Sequence, residues 1–186
     1  MKKVTKEIRC VYEAGLENMV VLVSTRLDGK NYVMTSGTVA EVSHKPPMLC
    51  VSICPERHTH DVILKRGAFV INLLSVKQKP LARACGSCSG RKVDKFEKYK
   101  IPYTISKGDL PFIQGCLANI GCRLVGSHLY GDHTICVGEM FEAEVYGVRT
   151  SRHLLLSDMT GKIPKSAYLL AKRIPFLHNI KNLFGK

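Results

Sequence analysis

Residues 19–53 read MVVLVSTRLDGKNYVMTSGTVAEVSHKPPMLCVSI, and this stretch decides the fold class. Met19 to Ser24 is a β-branched run of strand length, Asp28-Gly29 supplies turn chemistry, and Asn31 to Val42 forms a second run, so a β-hairpin is expected. Pro46-Pro47 then bars a helix interior and enforces an extended entry into a further apolar run, Met48 to Ile53. Three strands therefore open the fold. Working outward, Asp61 to Arg66 has helix-compatible spacing after a His58-Thr59-His60 turn, and Gly67 suits a helix C-cap ahead of a strand at Ala68 to Leu73.

Val76 to Tyr99 reads as one or two short helices interrupted by CGSCSG and is expected to cover one end of the structure. Strand patterns return at Cys116 to Val125 and Thr134 to Val145, with Gly131-Asp132 as the turn between them. The reading is a mainly β protein with short helices, and so many short strands favour a small closed barrel, because closure removes exposed sheet edges. At 186 residues one domain is expected, with residues 150–186 a basic C-terminal extension. Within the extension Pro175 splits any helix, and Tyr168, Leu169, Ile174 and Phe176 help to form an apolar face. That face suits dimer or lid packing, or a basic amphipathic surface.

Composition narrows the function classes. Hydrophobic residues at 45% and charged residues at 23% are ordinary globular usage, which argues against disorder, collagen and coiled coil. No apolar run reaches membrane-spanning length and no signal-peptide pattern follows Met1, so a cytoplasmic location is expected. The 28 Lys+Arg against 15 Asp+Glu give a net charge of +13. Clustered positive charge binds phosphate without sequence information. Outside the tail, however, the basic residues are spread along the chain, and no nucleic-acid partner is expected.

Chemistry-bearing motifs are sparse. Neither GxGxxG nor GxxxxGK[ST] occurs, so any phosphate must be held another way. PERHTH, Pro55 to His60, places Arg57, His58 and the Thr59 hydroxyl at a helix start, which suits an anion site or simply a solvated cap. Cys85-x2-Cys88 has the spacing of a redox dithiol or half a zinc site, but the second ligand pair of a closed zinc site is missing, and packing cysteines also fit. No metal site is expected. Cys50 and Cys54 are expected on one strand face. Lys95, in DKFEKY, reads as part of an exposed helical face, and His133, in GDHT, either donates to a ligand or caps its turn.

Taken together, VVLVSTRLDGKNYVMTSGT, EVSHKPPMLCVSI, PERHTHDVI, GAFVINLLS, CGSCSGRKVDKF and GDHTICVGE resemble the flavin reductase-like family, the FMN-binding split-barrel proteins that include flavoredoxins and archaeal ferric reductases. The resemblance covers roughly residues 18 to 146. It implies a six-stranded Greek-key split β-barrel, a single FMN-binding domain and a homodimer with one FMN per subunit near the interface. It implies further that Thr35, Ser36, Gly37 and Thr38 lie along the isoalloxazine and that Ser52 and Ile53 offer backbone groups to the ring edge. Arg57, His58 and Thr59 are expected at the ribityl phosphate with Lys95 supplying charge. His133 is expected near the ring where NADH or NADPH stacks. Tyr32 and Thr38 depart from the family's frequent asparagine and bulky aromatic, leaving ring packing open; Tyr168 or another tail residue is a candidate cover. The activity implied is electron transfer from NAD(P)H or a protein donor through FMN to flavin, a ferric chelate or a redox partner. An electron carrier without nicotinamide turnover, or a basic nucleic-acid or membrane-surface module, are the alternatives.

Overall fold

The computed structural model describes residues 17–146 and 151–160. The N-terminal hairpin forms as expected: β1 (Val21–Leu27) and β2 (Lys30–Ser36) pair in antiparallel register from Val21↔Ser36 to Leu27↔Lys30. Its turn places Asp28 and Gly29 at positive φ, 50° and 74°, the conformation Asn/Asp-Gly pairs favour. The run read as one strand over Asn31 to Val42 is instead broken at Gly37-Thr38 into β2 and β3 (Val39–His44), so four strands open the fold, the fourth being β4 (Pro47–Ile53). At the break, Ser36 Oγ lies 2.9 Å from Thr38 Oγ1 and accepts the Thr38 N–H at 3.3 Å. Local hydroxyl bonds of this kind compete with ladder pairing.

The His58-Thr59-His60 turn is already helical: α1 spans His58–Arg66 and ends at Gly67, whose φ of 69° closes the αL cap, its N–H donating to Ile63 O. β5 (Ala68–Leu73) follows, then a 3₁₀ turn (Val76–Gln78), α2 (Lys79–Gly86) and α3 (Lys95–Lys98). Two three-residue strands, β6 (Tyr103–Ile105) and β7 (Pro111–Ile113), were not expected. The last strands are 13 residues each, β8 (Ala118–Tyr130) and β9 (His133–Val145), turning at Gly131-Asp132. The main sheet is antiparallel in the order β2-β1-β5-β8-β9-β4-β3, with β6-β7 as a separate ribbon. The mainly β barrel reading holds. The count of six is corrected to seven main strands, because the Gly37-Thr38 corner makes two strands of one.

The inner sheet face packs Val21, Val23, Val51, Ile53, Phe69, Ile71, Cys122 and Cys136 against Ile63 of α1 in one core cluster. A second cluster, under α2 and α3, joins Leu22, Val33, Leu74, Ala82, Cys85, Phe96 and Leu154. Leu154 belongs to a returning segment whose N–H donates to Leu74 O at 2.8 Å and whose carbonyl accepts from Val20 N at 2.7 Å, leading into α4 (Leu156–Thr160). The β6-β7 ribbon is fastened by buried polar side chains. Asn72 accepts from Ile113 N at 3.2 Å, Asn119 Nδ2 donates to Ile113 O at 3.2 Å, and Ser24 Oγ donates to Pro111 O at 2.9 Å. The apolar tail positions Tyr168, Leu169, Ile174 and Phe176 lie outside the described residues.

Candidate functional site

Among the described residues, the start of α1 gathers several charged and polar side chains. Its N-cap residue, Arg57, makes no side-chain cap bond; His60 N–H donates back to Arg57 O at 3.0 Å, and the N–H groups of His58 and Thr59 have no intrahelical acceptor, as at any helix start. Thr59, 3% exposed, is tucked into this first turn. His58 sits edge-on to Tyr32, ring centroids 5.2 Å apart at 76°. Arg91, from the loop after α2, brings Nη1 to 3.4 Å from His58 Nδ1 and donates from Nη2 to Asp61 Oδ2 at 2.8 Å. Burial, then the Arg91 charge, holds the His58 pKa below the ordinary histidine value, with Lys30 and Lys65 acting in the same direction and Asp61 opposing. The Asp61 carboxyl is held low by its bonds to His60 and Arg91. A helix start ringed by Arg57, Arg91 and Lys30 is built to attract an anion.

Lys95 is placed differently from the exposed position expected of it. It is 6% exposed, and its Nζ donates to Val33 O at 3.0 Å and to Cys85 O. The reason lies in two neighbours. Asp94 caps α3 by accepting from Phe96 N and Glu97 N, which turns the next side chain inward. β2, for its part, is a sheet edge whose outward carbonyls lack a strand partner, and a lysine is a common way to satisfy such an edge. Desolvation lowers the Lys95 pKa, with Arg57 adding to the shift and Cys85 and Cys88 opposing it.

The Thr35 to Thr38 segment is tightly tied. Thr35 Oγ1 donates to Ala82 O at 2.6 Å, and Gly86 lies so near that an added Cβ would touch Thr35 at 3.5 Å. Gly37 lies beside Leu156, 3.9 Å from where a Cβ would stand. Thr38 Oγ1 donates to Ser52 O at 2.7 Å, and Ser52 N donates to Thr38 O at 3.2 Å. Both Ser52 backbone groups are therefore engaged within the chain. Ile53, 1% exposed, anchors the end of β4 in the core and pairs with Thr134. His133, at the first position of β9, has Nδ1 2.7 Å from Asp132 Oδ1, an acceptor that orients the ring.

Cysteine chemistry recedes. Cys85 is fully buried and its thiol is pushed up to about 11 by burial, the reverse of a reactive thiolate. Cys88 is half-buried with Sγ 3.4 Å from the Tyr99 hydroxyl. Cys54 falls beyond the end of β4, so the expectation that Cys50 and Cys54 share a strand face is corrected: Pro55 and the turn into α1 end the strand at Ile53. Among the described residues no three His, Cys, Asp or Glu side chains converge as a metal site would require, and no helix is long and apolar enough to cross a membrane.

The structure thus brings Arg57, His58 and Thr59 together at one helix start. Thr35, Ser36, Gly37, Thr38 and Ser52 meet at the β2-β3 corner, and Ile53 meets the Thr134 neighbour of His133 at the entrance to β9. Sequence reasoning missed Arg91, which lies in the quoted SGRKVDKF stretch but carries no local signal, and His60, which is 6% exposed with Nε2 3.0 Å from Thr134 Oγ1.

The model of the flavin reductase like domain matches residues 14–160. The chain belongs to the flavin reductase-like family. This flavin reductase-like protein is 34% identical over 139 residues to an FMN reductase (NADH) of Agrobacterium fabrum, covering 75% of this chain and 76% of that protein. It is 28% identical over 152 residues to a ferric-chelate reductase (NAD(P)H) of Archaeoglobus fulgidus, covering 78% and 88%. An uncharacterised Archaeoglobus fulgidus protein is 37% identical, with 63% of its length covered. Among solved structures it resembles the flavoredoxin of Methanosarcina acetivorans, with a TM-score of 0.70 at 26% identity over 78% of this chain and 76% of that one. The FMN-binding protein of Thermus thermophilus gives 0.69 at 26% identity over 78% and 81%. The fold is therefore the split barrel of these proteins.

Proposed function

We propose that the protein is an FMN-dependent NAD(P)H oxidoreductase of the flavin reductase type, passing electrons to free flavin, a ferric chelate or a redox partner. The observation that carries this reading is the uncapped start of α1, ringed by Arg57, His58 and Arg91 beside a split barrel of this family. The site fits a flavin phosphate: orphan backbone donors, the Thr59 hydroxyl and converging cations suit a dianion. Flavin, when bound, supplies the redox chemistry itself, which is why no triad or paired carboxylates are needed.

The chain's residues bind and orient. Arg57, His58, Thr59 and Arg91 hold the phosphate, and Lys95 contributes charge from beneath β2 while bracing that strand. Thr35, Ser36, Gly37 and Thr38, fixed by the Ala82 and Ser52 bonds, form a rigid wall for the ring. Ser52 and Ile53 border its edge. His133, oriented by Asp132, faces the nicotinamide side. Two subunits are expected to associate with the flavin near their interface, and the protein to work in the cytoplasm. An anaerobic absorption spectrum tests the reading. Protein given FMN should show flavin bands that bleach on adding NADH or NADPH; failure to take up FMN would refute it, and bands that persist would leave only electron carriage from a protein donor.

A further inference from the structure

His60, buried in the first turn of α1, is bonded at both ring nitrogens. Nδ1 lies 3.0 Å from Asp61 Oδ1 and Nε2 lies 3.0 Å from Thr134 Oγ1 on β9, 74 residues away in sequence. A carboxylate only accepts, so Nδ1–H donates to Asp61; in the neutral ring Nε2 then accepts the Thr134 hydroxyl proton. The other Asp61 oxygen, Oδ2, accepts from Arg91 Nη2 at 2.8 Å. The Arg91 side chain is 49% exposed on a loop, and its second nitrogen faces His58 at the helix start. A carboxylate beside an anion site repels the anion, which needs an explanation. Asp61 supplies one if its work is to hold Arg91 still, because a long side chain fixed beforehand loses less rotamer freedom when the ligand arrives.

We propose that Thr134, His60 and Asp61 form a positioning chain that fixes Arg91 for the flavin phosphate, an inference resting on the phosphate site assigned above. The chain runs from strand to ring to carboxylate to guanidinium, and Arg91 alone touches the ligand.

Asp61→Asn separates this role from plain electrostatics. Removing a negative charge beside an anion site tightens FMN by Coulomb attraction alone; the positioning chain gives the opposite result. Flavin-stripped protein is titrated with FMN and with riboflavin by fluorescence quenching, and the ratio of the riboflavin to the FMN Kd is compared. In Asp61→Asn and in Thr134→Val the ratio should fall by about 2–10-fold, the scale of one immobilised side chain, with riboflavin affinity unchanged. Thr134→Ser should restore it. In an Arg91→Ala background neither substitution should lower the ratio further. A ratio that rises in Asp61→Asn, or equal losses for both ligands, overturns the chain while leaving the phosphate site standing. A wild-type ratio near one overturns the phosphate site and the chain with it. Asp61 is 40% exposed, so its isosteric substitution keeps the test open should Thr134→Val fold poorly.

Discussion

Lys95→Met tests how a buried charge is used. Methionine keeps the length of the aliphatic stem and removes the ammonium that donates to Val33 O and Cys85 O. A hydrogen bond to a charged group contributes about 1.5–3 kcal/mol, so two give about 3–6 kcal/mol gross. Losing the ammonium also relieves its desolvation, which is a few kcal/mol for a buried ion. The cost of leaving the Val33 and Cys85 carbonyls without their donor is contained in that gross figure. The net loss expected is about 1–3 kcal/mol, which lowers Tm by roughly 2–12 °C at this chain length. Differential scanning calorimetry on flavin-stripped protein measures the change, and FMN and riboflavin titrations on the same sample measure its effect at the site. Through-space loss of one cation should weaken FMN several-fold more than riboflavin. An unchanged Tm together with an FMN loss above about 100-fold, the scale of a direct charge-assisted contact, would refute the inward placement and put the ammonium on the phosphate.

Two further outcomes follow from packing and titration. In Gly138→Ala the new Cβ would stand 2.6 Å from Phe69 Cζ and 2.7 Å from Cys122 Cβ, both fully buried, so overpacking of about 1–3 kcal/mol should lower Tm by roughly 2–12 °C; an unaltered Tm would contradict the tight β9 crossing. Because the His58 pKa is lower in the folded chain than its ordinary 6.5, the unfolded chain takes up a proton first, and stability falls as pH drops below about 6.5 towards the folded value. Urea midpoints between pH 7.5 and 5.5 should therefore decline less in His58→Gln than in the parent, and parallel declines would remove His58 as a cause.

The strands were legible because β-branched runs and Asp-Gly turn chemistry are local signals, and β1, β4, β5 and β9, with the start of β2, fall close to where those signals put them. What escaped was non-local. The corner at Gly37-Thr38 depends on hydroxyl bonds that reach Ser52, and a continuous run of strand formers hides it. β6 and β7 are three residues each, β6 preceded by Pro102 and β7 beginning at Pro111, too short for any periodicity to register. DKFEKY looks like a solvated helical face, and its first lysine turns inward because of the Asp94 cap and the unpaired edge of β2 together. At the candidate site the roles given to the HT pair and the GDH motif rest on resemblance alone, whereas Arg91 and the His60 to Thr134 bond join residues 30 to 74 positions apart.

The Ser36 to Thr38 corner has a further consequence. The outermost strands of the main sheet, β2 and β3, are consecutive in the chain and share no ladder. The barrel is thus fastened at that junction by a covalent bend and a few hydroxyl contacts, each about 1 kcal/mol, while parting any other neighbouring pair would rupture a whole row of backbone bonds. The wall proposed to face the flavin runs along that seam, so the one junction of the main sheet that has no ladder and its ligand-facing surface coincide, and a ligand seated there would add contacts where the sheet itself supplies fewest.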